Sequence, residues 1–215
     1  SNSGSGGSSS SSSSSSRIER LDDHIKMGAP RPIVWCDNLL LPASALTVLQ
    51  GEVGVGKSTL LCGLLGETLQ AGAAVSFGGE GHRPLISLVG QRPWLIAGSV
   101  RENITLGACG AFDRKRYESA CGACCLGPDL DSFVNGDQEQ VGEGGERLSG
   151  GQRQRVCLAR AAYATAPIVL LDDALSALDA HVAMRTFDEC IVGLMRRRTR
   201  VLVSHSAAAA ACADQ

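Results

Sequence analysis

Gly51-Glu52-Val53-Gly54-Val55-Gly56-Lys57-Ser58 is the stretch whose reading decides the fold. Before it lies a nearly continuous apolar run, Ala45-Leu46-Thr47-Val48-Leu49, and after it Leu60, Leu61, Leu64, Leu65 and Leu69 recur at helical spacing. The order is therefore buried strand, glycine-rich turn, helix, the context that gives the pattern GxxxxGK[ST] a physical meaning. Gly51, Gly54 and Gly56 let backbone N–H groups turn inward around phosphates, and the helix start adds partial positive charge. Lys57 is placed to neutralise the β and γ phosphates and the Ser58 hydroxyl to ligate Mg2+, with Thr59 beside them on the cofactor side. The expected ligands are ATP and Mg2+.

Two further apolar runs, Ile168-Val169-Leu170-Leu171 and Val201-Leu202-Val203, have the length and continuity of parallel strands buried on both faces. Strands alternating with helical patterns predict an α/β domain, a P-loop NTPase core on a parallel sheet. The second run delivers Asp172 and Asp173 at its carboxyl end, where open α/β sheets bind ligands, and Asp172 is the expected Mg2+ carboxylate. Residues 101–137 read as mainly helical, with breaks at Gly107, Gly110, Gly127-Pro128 and Gly136, and predict a helical subdomain over about 92–160.

Composition narrows the class. The first sixteen residues are Ser, Gly and one Asn, a tether that cannot bury apolar surface. Residues 17–38 carry no clear pattern, and 39–215 form the single expected domain. A net charge of −2 and a pI near 6.1 give no reason to expect a nucleic acid or an anionic membrane surface as partner. The basic run Arg196-Arg197-Arg198-Thr199-Arg200 follows a helical apolar spacing and suits a helix C-terminus. Nine cysteines in apolar surroundings fit buried thiols in a reducing compartment, and Cys121, Cys124 and Cys125 lack the partners of a tetrahedral metal site. Asn103-Ile104-Thr105 matches the glycosylation pattern by coincidence if the domain works in the cytosol. No apolar run reaches the span of a bilayer, so the chain alone is expected to be soluble.

Many proteins share a P-loop and a strand-end Asp, so the deciding residues are Leu148-Ser149-Gly150-Gly151-Gln152, which open a helical pattern between them. Ser149 and the N–H groups of Gly150 and Gly151 at a helix start offer a second anion site. With this element the chain resembles the nucleotide-binding domain of an ABC transporter from about Leu39 to His205. The resemblance implies that the Ser149–Gln152 signature contacts the γ-phosphate held by the P-loop of a partner domain, so that two such domains close head to tail around ATP. It implies that Gln91 is the Q-loop glutamine, reaching Mg2+ and the attacking water. It further implies that Ser176-Ala177-Leu178-Asp179 is the D-loop, with Asp179 at the nucleotide interface, and that His205 is the switch histidine on the γ-phosphate.

The wording Gln91-Arg92-Pro93-Trp94, Ser99-Val100-Arg101-Glu102-Asn103-Ile104 and Leu175-Ser176-Ala177-Leu178-Asp179-Ala180-His181-Val182 is similar to the first nucleotide-binding domain of the C, or multidrug-resistance-associated, subfamily. That likeness implies transmembrane domains on the same or a partner chain and a place on the cytoplasmic face of a membrane. The sequence departs from most active cassettes at Asp173, where they carry Glu as general base. A carboxylate set back by about 1.5 Å polarises water poorly, so tight binding with slow hydrolysis is expected at this P-loop. Trp35 is a candidate to stack on adenine, with packing as the other reading. The chain stops soon after His205, as a C-terminally truncated fragment of such a domain would. Two alternatives remain: a regulatory module that uses ATP as a clamp without turnover, and a soluble ABC ATPase of the DNA-maintenance kind, which normally carries a coiled coil that the stretch from Gln91 to Ser149 lacks.

Overall fold

The computed structural model describes residues 34, 39–68, 75–77, 83–205 and 207–213. The tether at 1–16, most of 17–38 with Trp35, and Leu69 lie outside the described residues.

Period-two alternation explains the sheet. Strands β1 (Leu46–Leu49), β2 (Ile86–Val89), β3 (Ile168–Asp172) and β4 (Thr199–Val203) pair in parallel in the order β1-β4-β3-β2. Along β3 and β4, Leu170, Val201 and Val203 pack with Leu61 on one face, while Val169, Leu171 and Leu202 join the larger cluster on the other. A sheet covered on both sides needs apolar residues at every position, which is why these strands read as continuous runs. The three expected strands are present. The fourth, β2, is an edge strand among the described residues; Ser87 interrupts its apolar run and Leu88 is half exposed, so its signal is weaker.

Helix α1 (Lys57–Leu65) covers the face that carries Leu170, Val201 and Val203 and packs its Leu61 against them. The larger cluster on the other face takes its helical residues mainly from α2 (Val100–Thr105), α3 (Arg114–Ala123) and α5 (Gly150–Tyr163), with the partly buried Leu130 of α4 (Gly127–Ser132) packed against it, and α6 (Ala180–Thr186) follows β3 in the chain. The last of these continues as wider π-type turns over Phe187–Leu194, and a short helix α7 (Ala207–Ala211) follows β4. The longest, α5, buries Val156, Leu158, Ala159, Ala162 and Tyr163. Local chemistry sets the starts: Ser99 and Glu102 form a capping box on α2, Ser149 and Gln152 form one on α5, and Asp113 and Asp179 cap α3 and α6.

Four local readings are refined. Gly107, Gly110 and Gly136 do adopt positive φ at breaks, but Gly127-Pro128 opens α4, and the break before it falls at Cys125 with φ 56°. The basic run serves helix ends more specifically than a diffuse charge would. Arg198 donates to the carbonyls of Ala161 and Ala162 in the last turn of α5, and Arg200 donates to the Ile191 carbonyl. The side chain of Asn103 is fully buried and holds Ile96 and Ser99 by their backbones, so it serves packing in the folded domain. The cysteine cluster packs as thiols: burial pushes Cys121 up to about 11, and Cys124 stands with its sulfur 3.5 Å from that of Cys190.

Candidate functional site

Parallel pairing sends all four strand ends to one side, and that alone gathers residues far apart in sequence. Leu49 and Asp172 both register with Val203, while Val89 registers with Leu171. The P-loop leaves β1, His205 follows β4, Asp172 ends β3 and Gln91 follows β2. With neighbouring strands about 4.8 Å apart, the β1 and β3 exits flank the β4 exit at roughly 10 Å from each other. This is the crevice at carboxyl ends where open α/β sheets take ligands.

The P-loop has the properties of an anion cradle. Gly54 and Gly56 hold φ of 87° and 95°, conformations that a side chain would strain. Four other helices are capped by their own Ser or Asp side chains, but α1 starts at Gly56 with no side-chain cap and no acidic residue in its first turn. Its first N–H groups therefore face outward with the positive end of the helix dipole behind them. The Lys57 ammonium donates to the carbonyls of Gly51 and Glu52 at 2.8 and 2.7 Å, folded over the loop. Gly51, Gly54 and Ser58 are exposed, and Thr59 is half-buried in the first turn. These groups fit a triphosphate with its Mg2+.

Asp172 is half-buried at the end of β3, and the backbone N–H of Asp173 donates to the Val203 carbonyl at 3.1 Å. Asp173 takes a left-handed conformation, φ 50°, and its carbonyl accepts from the Ser176 backbone and hydroxyl. Asp tolerates that region better than most residues. His205 and Gln91 are exposed.

The signature residues lie at the start of α5. Ser149 accepts from the Gln152 N–H while Gln152 accepts from the Ser149 N–H, so both side chains are committed to the helix start. Open space surrounds Gly150, whereas a Cβ on Gly151 would stand 3.4 Å from the Ala177 carbonyl; the start of α5 thus packs against the segment 176–179 of the same chain. Asp179 spends its carboxylate on the Val182 N–H. Sequence reasoning missed Asp129 of α4, which accepts from Gln152 and, in a bidentate pair, from Arg155 at 2.7–3.0 Å. No local pattern marks it, because its partners lie on another helix.

Comparison with known proteins agrees with this geometry. The profile of the ABC transporter family matches residues 37–176, and the chain belongs to that family as an ATP-binding domain. Within it the chain is of the C-subfamily type. It is 42% identical to ABC transporter C family member 2 of Dictyostelium discoideum over 78% of its length, and 44% identical to ATP-binding cassette sub-family C member 3 of Rattus norvegicus over 81%. It is also 42% identical to multidrug resistance protein mrp-7 of Caenorhabditis elegans over 83%. The chain spans 11–12% of the length of these relatives. Among the described residues, no helix is long and apolar enough to cross a membrane.

Proposed function

We propose that this domain binds Mg-ATP at its P-loop, hydrolyses it slowly there, and works as the first nucleotide-binding domain of a C-subfamily membrane transporter, paired head to tail with a second such domain. The uncapped, acid-free start of α1 behind a positive-φ glycine loop carries the reading. Lys57 leaves the Gly51 and Glu52 carbonyls for the phosphates, and the α1 N–H groups hold the same anion. Ser58, Asp172 and Gln91 would hold Mg2+, and the metal when bound neutralises phosphate charge and orients the terminal phosphoryl group. Asp173 orients water, His205 steadies the γ-phosphate side, and Asp179 lies at the interface with the partner domain.

The shorter reach of Asp173 supports slow turnover, since a base must stand within hydrogen-bond distance of the water it polarises. Ser149, Gly150, Gly151 and Gln152 face a partner's nucleotide, a role that the open space at Gly150 favours. The cytoplasmic side of a membrane is the matching location. The test is Asp173→Glu in the full-length protein: affinity for ATP is expected to stay within about twofold while turnover rises by about tenfold or more. Unchanged turnover with intact binding would sink the slow-site account and favour the second reading, an ATP clamp without turnover, which Asp173 alone supports.

A further inference from the structure

The side chain of Gln154 lies on α5, five residues beyond the Ser149 cap, and is 1% exposed. Its Nε2 donates to the Gly90 carbonyl at 3.5 Å, the long limit for such a bond, and its Oε1 has no hydrogen-bond partner. Exchanging the amide's ends would set oxygen against a carbonyl, so the orientation follows from the contact. A buried acceptor without a donor is rare in native structures, and an apolar side chain of the same length would avoid it. Gly90 is the residue before Gln91. The chain bends there, bringing the Arg92 carbonyl 3.7 Å from where a Cβ on Gly90 would stand. Neither Gln91 nor Arg92 donates its amide to a partner among the described residues. An orphaned acceptor thus stands beside a bend with amides to give.

We propose that Gln154 is a positioning residue for Gln91. When the bend at Gln91–Arg92 closes on Mg-ATP, Gln154 Oε1 accepts a backbone N–H of the bend while Nε2 stays on the Gly90 carbonyl. This two-point latch ties the bend to α5, and through the rigid helix to Ser149–Gln152 at its start. The inference rests on the P-loop being the Mg-ATP site.

Amide hydrogen exchange in the full-length protein tests it, read at residues 51–58 and at 90–94 with and without Mg-ATP. In the unaltered protein, Mg-ATP is expected to slow exchange at both segments by about fivefold or more. In Gln154→Met, similar in length but without hydrogen-bonding groups, slowing at 51–58 persists and slowing at 90–94 is lost. Turnover falls while the ATP KM stays within about twofold. Slowing at 90–94 that survives Gln154→Met overturns the latch, as does its absence from the unaltered protein when 51–58 responds. No response at 51–58 in the unaltered protein removes the ATP reading first and the latch with it. If Gln154→Met does not fold, Gln154→Glu, whose buried carboxyl in its neutral form donates to the Gly90 carbonyl and keeps an acceptor oxygen in the same place, is expected to retain slowing at 90–94; its loss there overturns the proposal.

Discussion

At the scale of single residues, Asp173 combines two properties that pull against each other. Its carboxylate is short for a general base, and its backbone sits at φ 50°, where Asp is better tolerated than longer side chains. The Asp173→Glu variant should therefore be less stable by about 1 kcal/mol in urea unfolding even as its turnover rises. Equal stability would mean that the backbone relaxes at no cost. The glycine-rich turn between β1 and α1 was legible in the sequence, because its spacing is fixed by neighbours in the chain. The left-handed Asp173 was not, since only the packing of β3 against β4 sets that turn.

At the scale of elements, the start of α5 is held by more than its capping box. Asp129 and Arg155 pair with side chains 13% and 14% exposed, and Asp129 also receives Gln152. Asp129→Ala leaves the Arg155 charge largely buried without its partner, and a loss of about 3 kcal/mol in urea unfolding is expected. A loss under about 1 kcal/mol would mean that water reaches Arg155.

A second tie joins α2 to the turn at Gly136–Gln138, where Arg101 and Asp137 meet at 2.7 Å. Partial burial pushes the Asp137 carboxyl up, but hydrogen bonds from Arg101 and Gln138 and the Arg101 charge outweigh it, leaving it below its ordinary value of 3.8. Because the folded value is the lower one, the tie contributes fully above pH 3.8 and is lost as pH falls through the folded value. Asp137→Asn should flatten the fall of stability with pH below 3.8 in acid unfolding, and an unchanged slope would reject the assignment. Strands β1, β3 and β4 were readable because a doubly covered sheet makes most of their residues apolar. The edge strand β2, Asp129 and Gln154 depend on partners elsewhere in the chain, which periodicity does not report.

At the scale of the whole molecule, the parallel sheet turns sequence distance into proximity: Gln91, Asp172, His205 and the P-loop leave the sheet on the same side because their strands run parallel. The family and subfamily were legible from the signature and from the wording around Gln91 and Asp179. A transporter role makes a separate prediction for the native polypeptide. Alkaline extraction of membranes from the source cells should leave a large, extraction-resistant band recognised by an antibody to this domain. A soluble band of about this chain's size would favour a separate ATPase subunit or a clamp.

The most direct test of the central claim is equilibrium binding of ATP, with Mg2+ present, to the full-length protein and to its Lys57→Ala variant, with the P-loop lysine of any second nucleotide-binding domain replaced in both so that one site is read. Among the described residues the Lys57 ammonium bonds only to exposed loop carbonyls, so the variant should fold as before. Losing a charge-assisted contact to phosphate should weaken binding by about tenfold to a hundredfold. Equal affinity in the two proteins would contradict the assignment of Gly51–Ser58 as the Mg-ATP site.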